Sequence, residues 1–379
     1  MRVGLCGLGD RLSYVAKVMS DLIPGFEIIS YADPTPSKLD YMLERKIEMR
    51  GYHCLESMLE TETLDFLMIG SPNHLHLEQI KLGLKNGLKI FTEKPVVITE
   101  SETFELLDLI KQYDAADDIL VGMVLRYSPL YKDLIASKQN GDLGELVSIE
   151  ASEHIAPEHG AFFMRDWRRN PAMSGGFMLE KCCHDIDLYQ GVVGCRPKRI
   201  ASFGGRKTFT ADNSAQEHLS IYHERKSRWG GTNTVFNDGQ LIDNQVAIIE
   251  YQDGTNLCFH TNLNVPDEYR HFCVVGTNGM AEGDFVRAHF KVHDAKTSAL
   301  IKDITYQHDD TISMHYGAEE QMAADWIDHF ENGTPLPVSI INALEAGLTA
   351  IKIDEARTQN SIIDLTELWE RFDSYGLSV

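Results

Sequence analysis

The sequence predicts a doubly wound parallel α/β domain over residues 1–124, followed by an α+β domain over 125–379 whose sheet is mostly antiparallel. Three observations carry that reading. Strand-like apolar runs alternate with amphipathic helical stretches through the first third of the chain, the signature of βα units on a parallel sheet. Beyond them, alternating runs flank Asp253-Gly254 and Asn278-Gly279, dipeptides suited to hairpin turns. A chain of 379 residues is also too long for one ordinary core.

Residues 2–6 read as the first strand, and Gly7-Leu8-Gly9 follows directly. Val15, Val18, Met19 and Leu22 then mark one face of a helix that starts near Arg11. Strand, glycine turn and helix in that order make a candidate dinucleotide cradle of Gly7, Gly9, Arg11 and Leu12. The first glycine makes the turn, and the second lets backbone N–H groups approach a pyrophosphate. Leu12 stands where the fingerprint carries a third glycine, which leaves the packing distance between helix and strand open. The second strand, 27–32, ends at Asp33, placed to accept from adenosine ribose hydroxyls and so to favour NAD over NADP. An Asx turn before Pro34 is the plainer account of the same residue.

A strand over 63–69 closes in Gly70-Ser71-Pro72-Asn73-His74-Leu75-His76, and a helix over 77–85 follows. The next strand, 88–91, exits into Thr92-Glu93-Lys94-Pro95, and a helix over 100–113 and a strand over 119–124 complete the domain. The loops at Gly7, Asp33, Ser71 and Glu93 all open on one sheet edge, where open parallel sheets bind ligands. Glu93 and Lys94 put a carboxylate and an ammonium at that edge, although a solvated charged turn would read the same in isolation.

The second domain begins with a strand over 144–150, and its hairpins pair 245–251 with 257–263 and 272–276 with 280–285. Residues 224–244 read as a long polar loop, and helical periodicity returns over 318–331 and 340–357. Ser174-Gly175-Gly176 opens a helix that would put Glu180, His184 and Asp187 on one face. A carboxylate beside an imidazole orients it and raises its basicity, as hydroxyl oxidation at neutral pH requires. Glu–His pairs without any function are also common on exposed helices. Cys182, Cys183, His184 and Asp187 hint at a metal, but adjacent cysteines point to different faces and no second cluster completes a zinc pattern, so none is expected. Upstream, Phe162, Phe163 and Trp167 alternate with Arg165, Arg168 and Arg169. In so acidic a chain that cluster suits an anionic or hydroxyl-rich ligand; Trp167 is either a stacking platform for a sugar or simply core.

Fifty-seven acidic against thirty-five basic residues give a net charge of −22, which opposes phosphate backbones, so no nucleic-acid partner is expected. No apolar run reaches the roughly eighteen residues of a membrane span. The N-terminus enters structure at once and carries no secretory pattern, and the seven irregularly spaced cysteines read as reduced thiols of a cytoplasmic protein.

Four of these features together resemble the Gfo/Idh/MocA oxidoreductases, the family of glucose–fructose oxidoreductase and the inositol dehydrogenases. They are the glycine turn with Asp33, the Ser71-Pro72-Asn73-x-x-His76 loop, Glu93-Lys94-Pro95, and Arg126-Tyr127-Ser128-Pro129. The resemblance implies an N-terminal Rossmann domain holding NAD, and a large open second sheet used to form homodimers or homotetramers. It implies that Ser71, Asn73 and His76 lie along the nicotinamide side, that Glu93 meets a ribose, and that Lys94 reaches both ribose and substrate. Arg126, Tyr127, His154, Trp167, Arg168, Asp187 and His315 are then substrate-pocket residues, and the helix over 340–357 packs back towards the first domain. The family's Gly-Gly-x-x-x-Asp-x-Gly-x-His-x-x-Asp pattern is met by Gly175, Gly176, Glu180, Cys182, His184 and Asp187, with His184 as the acid–base. Glutamate and Cys182 in place of aspartate and glycine leave open whether Glu180 binds substrate or only orients His184.

The expected activity is oxidation of a secondary alcohol in a sugar, polyol or cyclitol, or the reverse reduction. Hydride exchanges with nicotinamide, His184 carries the hydroxyl proton, and Lys94 stabilises the alkoxide. Two further readings are a glycosidase that uses bound NAD transiently and a sugar-sensing regulator that does no chemistry.

Overall fold

The structure, a computed structural model, describes residues 1–216, 224–226, 232–236, 239–307 and 315–377. The first sheet has six parallel strands in the order Arg50–Tyr52, Glu27–Ala32, Arg2–Cys6, Phe66–Ile69, Lys89–Thr92 and Ile119–Val121. Chain order reverses between Arg2–Cys6 and Phe66–Ile69, and this switch point opens the crevice where ligands sit in such sheets. Phe66–Ile69 is buried at every position, which is why its sequence is a continuous apolar run rather than an alternating one. The helix Glu100–Tyr113 begins where Thr99 and Glu102 cap each other reciprocally. The strand Arg50–Tyr52 and the helices Leu39–Glu44 and Leu55–Thr61 were not anticipated; they are short, and the strand is largely exposed.

The second sheet has nine strands, in the order Leu300–Thr305, His289–Asp294, Gly279–Asp284, His271–Gly276, Leu146–His154, Asn256–Asn262, Asn244–Tyr251, Pro197–Gly205 and Ile363–Asp364. All its pairings are antiparallel except Leu146–His154 with Asn256–Asn262. Both expected hairpins are present, the first turning at Gly254 with φ of 91°. Ile149, Ala151, Ile249, Phe259, Phe272, Val274 and Val292 face the core, while Phe203, Ile248, Cys258 and His260 on the other face are exposed. Within the polar stretch 224–244, Glu224–Lys226 pairs with Thr232–Thr234, so that segment is not loop throughout; residues 227–231 and 237–238 lie outside the described residues.

Two late helices join the halves. Ala318–Asn332 lays Trp326 on the first sheet, with ring centroids 6.0 Å from Phe66 and 5.2 Å from Phe91. Ile340–Gln359 packs on the second sheet and on Cys183–Val193, and its Lys352 pairs with Glu100 of the first domain at 2.8 Å.

The helix expected from Gly176 onward is two helices, Phe177–Glu180 and Cys183–Val193, broken at Lys181-Cys182. Gly176 enters the first with φ of 92°, a conformation that favours glycine, and a Cβ there would lie 2.6 Å from Asp354. The break leaves Glu180 on one helix and His184 and Asp187 on the next.

Candidate active site

The cofactor edge is built from the ends of four adjacent strands. Gly7 has φ of 90°, and a Cβ on it would sit 2.9 Å from the Gly70 carbonyl and the Ser71 nitrogen, so this turn needs glycine. Asp33 fastens it: Oδ2 accepts from Leu8 N–H at 2.7 Å and Oδ1 from Thr35 N–H at 2.7 Å. The Asx turn and the acidic strand end are thus the same feature, with lone pairs left over for a ribose. The helix Asp10–Leu22 starts at Gly9 without a side-chain cap, leaving its first N–H groups open to an anion, and Leu12 packs against Gly70. These groups fit a dinucleotide.

The Ser71 and Glu93 loops are pinned together. Both His76 ring nitrogens face main-chain carbonyls, Pro95 at 2.9 Å and Ser71 at 3.0 Å, so its ring is occupied in joining the loops. Ser71 Oγ donates to Gln79 at 2.6 Å, and the Lys94–Pro95 peptide is cis. Glu93 is buried and accepts from Arg11 Nε at 3.0 Å.

Across the cleft, Glu180 joins the two domains. Asn73 Nδ2 donates to its carboxylate and to the Ser174 carbonyl, Arg168 Nε donates to its other oxygen at 3.1 Å, and Lys94 Nζ donates to its main-chain carbonyl. Arg168 is itself sandwiched, 4.1 Å from the Phe162 ring and 4.2 Å from the Trp167 ring. No hydrogen bond joins Glu180 to His184, which corrects the expectation of one helical face. His184 is buried and its Nδ1 has no partner among the described residues. Burial first, then the charges of Lys94 and a neighbouring imidazole, His315, push His184 well below the ordinary histidine range, so it is neutral near pH 7.

Three residues expected on the substrate wall lie in the core instead. Arg126 grips Asp187 bidentately at 2.8 and 2.7 Å and spends a further N–H on the Pro337 carbonyl, while Tyr127 is 1 % exposed. An ion pair this complete has nothing left to offer a ligand. His154 packs edge-on to His260 and tilted against Tyr269, with ring centroids 4.8 and 4.6 Å away, and contacts Asn262; burial and then His260 push it down to about 4. Trp167 is buried, and His315 stands 6.0 Å, ring to ring, from His184.

Two networks escaped sequence reasoning. Arg270, 2 % exposed, binds Asp185 at 2.8 and 2.7 Å and Glu153 at 2.9 Å, and Lys181 completes the set on Glu153 at 2.8 Å. Glu319, fully buried, holds both Arg11 and His315 at 2.6 Å. The i, i+4 spacing of His315 and Glu319 was a usable signal; nothing local pairs Arg270 with Asp185. Among the described residues no group of acidic, histidine and cysteine side chains could hold a metal, and no helix is long and apolar enough to cross a membrane.

Comparison with known families gives two matches: an oxidoreductase-family NAD-binding Rossmann fold over residues 1–117, and the same family's C-terminal α/β domain over 134–364. The chain belongs to the Gfo/Idh/MocA oxidoreductase family. It is 26% identical over 209 residues to the scyllo-inositol 2-dehydrogenase (NAD(+)) of Bacillus subtilis, covering 54% of this chain and 57% of that protein. It is 19% identical over 319 residues to the 2,7-anhydro-N-acetylneuraminate hydratase of Mediterraneibacter gnavus, covering 84% and 76%. In fold it is similar to a levoglucosan dehydrogenase solved with NADH, with a TM-score of 0.76, 18% identity, and coverage of 96% of this chain and 98% of that one. This member therefore carries the family's NAD-binding domain ahead of a mixed nine-stranded second sheet.

Proposed function

We propose that this oxidoreductase interconverts a secondary alcohol and a ketone in a sugar, polyol or cyclitol, using NAD in preference to NADP. The observation that carries the proposal is the meeting of Lys94 with the His184 segment: Lys94 Nζ bonds the carbonyl of Glu180, four residues before a buried, neutral imidazole. When bound, the nicotinamide supplies hydride acceptance or donation. His184 takes the hydroxyl proton, which a neutral imidazole can do and an imidazolium cannot. Lys94 leaves the Glu180 carbonyl for the substrate oxygen, where its charge lowers the energy of the developing alkoxide. Glu180, fixed by Arg168 and Asn73, positions the Lys94 carbonyl anchor and holds the two domains at a constant separation.

Asp33 supports NAD over NADP because an anion already accepting two N–H groups repels a 2′-phosphate. The exposed Phe203 and Ile248 on the open sheet face support assembly as a homodimer or homotetramer, a state that light scattering at micromolar concentration tests. The activity test is NADH absorbance across a panel of sugars, inositols and anhydrosugars, run beside His184→Asn. No substrate-dependent NADH from the wild type would refute the reading.

A further inference from the structure

A functional imidazole ordinarily has one ring nitrogen fixed by a hydrogen bond, which sets its orientation. His184 does not: its Nδ1 is buried and has no partner among the described residues. The helix Cys183–Val193, which carries His184 in its first turn, also starts without a side-chain cap. Direction must therefore reach the ring through the backbone on either side of it.

Four buried charged side chains grip that backbone. In the second sheet Ala151 pairs with Phe272 and His154 with Tyr269, so Glu153 and Arg270 lie opposite each other between those pairs. Arg270 is fixed at its main chain as well, its N–H donating to Asp284 at 3.4 Å and its carbonyl accepting from Phe285 N–H at 3.0 Å. This cross-strand pair holds the chain on both sides of His184. Before it, Lys181 Nζ at the helix break lies 2.8 Å from Glu153 Oε1. After it, Asp185 accepts from Nε and Nη2 of Arg270 at 2.8 and 2.7 Å. Arg270 Nε is also 2.9 Å from Glu153 Oε2, which links all four side chains into a staple across the kink. None of the four residues is more than 8 % exposed.

We propose that this cluster positions His184, with Lys181 the positioning residue that fixes how the chain enters the kink. Lys181 acts through the main chain of Cys182 and Cys183, not on the reacting atoms. A buried ion pair adds little to stability over an apolar replacement, and here its effect is to select one geometry of the break. The catalytic value of that geometry rests on His184 being the base of the oxidoreductase reading; the hold on the ring does not. The groups facing His184 are Lys94 from the cofactor edge, His315 from the segment ahead of Ala318–Asn332, Arg270 from the second sheet and Lys181 from the break. After burial, each of them opposes a proton on the ring. His159, Glu268, Asp284, Tyr189 and Tyr316 face the cluster itself.

Histidine ¹⁵N NMR of the full chain tests the hold on the ring without any substrate. In the wild type His184 should give one sharp set of ring resonances that titrates well below 6.5. Lys181→Met should broaden or double them and raise the midpoint by about half a pH unit, because a cation facing the ring is gone. Lys181→Arg, which keeps the charge, should restore both. Should Lys181→Met fail to fold, Glu153→Gln keeps the volume and should broaden the same resonances. Arg196→Met, which breaks an ion pair with Glu345 and Asp373 away from the kink, should lower the denaturation midpoint and leave His184 sharp. Sharp, unmoved His184 resonances in the Lys181 or Glu153 variant, or equal broadening in Arg196→Met, overturn the proposal. With whichever sugar or inositol of the panel yields NADH, Lys181→Met should lower kcat per NAD-binding site by about tenfold at unchanged NAD affinity. An unchanged kcat overturns the catalytic part. Absent NADH from the wild type, with the ring loosened in Lys181→Met, would instead refute the oxidoreductase reading and leave the staple standing.

Discussion

Two sets of arginine–carboxylate contacts converge on His184, and they are built to different rules. Beneath it, Arg270 and Arg126 grip Asp185 and Asp187, both within the helix Cys183–Val193, bidentately and in the dry core. Around the cleft, Arg11 and Arg168 are about a quarter exposed and hold Glu93, Glu319 and Glu180. The lower set anchors a helix whose first turn carries His184, the proposed base. The upper set aims side chains. A buried pair that is fully satisfied costs most when one partner is removed, whereas a partly exposed pair is screened and its loss is felt in geometry.

That contrast predicts a graded series. Arg270→Met should be the most damaging change, leaving Asp185 and Glu153 buried without their shared cation, and should cost about 3–5 kcal/mol in chemical denaturation. An equally stable variant would show that the lower network anchors nothing. The same network gives an acid sensitivity. Burial would raise the Glu153 carboxyl, but Arg270 and Lys181 outweigh it and hold it at about 2, below its ordinary 4.5. A depressed carboxylate contributes stability above its unfolded value and loses it as the carboxylate protonates, so denaturation midpoints should fall between about pH 4.5 and 2. A midpoint flat across that window would remove Glu153 from the account.

His184→Asn should behave in the opposite way, with turnover lower by roughly a hundredfold or more, about 2.7 kcal/mol, while NAD still binds. Lys94→Met should also cut turnover, and the proposed action of both groups on one oxygen predicts a double variant far less impaired than the product of the single effects. Strictly multiplicative losses would separate their roles. Asp33 should set a smaller preference, NAD over NADP by at least about tenfold, about 1.4 kcal/mol, and equal affinities in a titration of both cofactors would end its ribose assignment. Smallest of all is the pH effect on rate. His184, held neutral by burial and by Lys94, protonates only well below 6.5, so with the proposed role kcat/KM should stay level from pH 8 to 6.5 and fall only in more acid solution. An acid limb centred at or above 6.5 would mean that another group limits the rate.

Much of the fold could be read from residue order because its determinants are local. Strand length, a glycine turn and a capping Thr99–Glu102 pair act within a few residues, and both hairpins announce themselves in Asp253-Gly254 and Asn278-Gly279. The helices 318–331 and 340–357 were found within two residues at each end for the same reason. Short exposed elements such as Arg50–Tyr52 carry too few residues to show a period. The broken helix shows the limit differently: a continuous apolar pattern from Phe177 to Val193 looks the same with or without a kink at Lys181-Cys182. Local order therefore placed Lys94 at a strand end and Glu180 and His184 on helical residues, and left their partners open.

What the sequence by itself determined is the order of elements, the ligand edge at Gly7, Asp33, Ser71 and Glu93, and the residue types available for chemistry. Only the tertiary structure decided the partners. Glu180 went to Arg168 and Asn73 rather than to His184, Asp187 to Arg126 rather than to the cleft, and His315 to Glu319 and, across the domains, to Arg11. The physical reason is that a buried charge must find a counter-charge wherever packing brings one close, and contacts separated by 61 residues (Arg126 to Asp187) or 308 residues (Arg11 to Glu319) leave no period in the chain to be read.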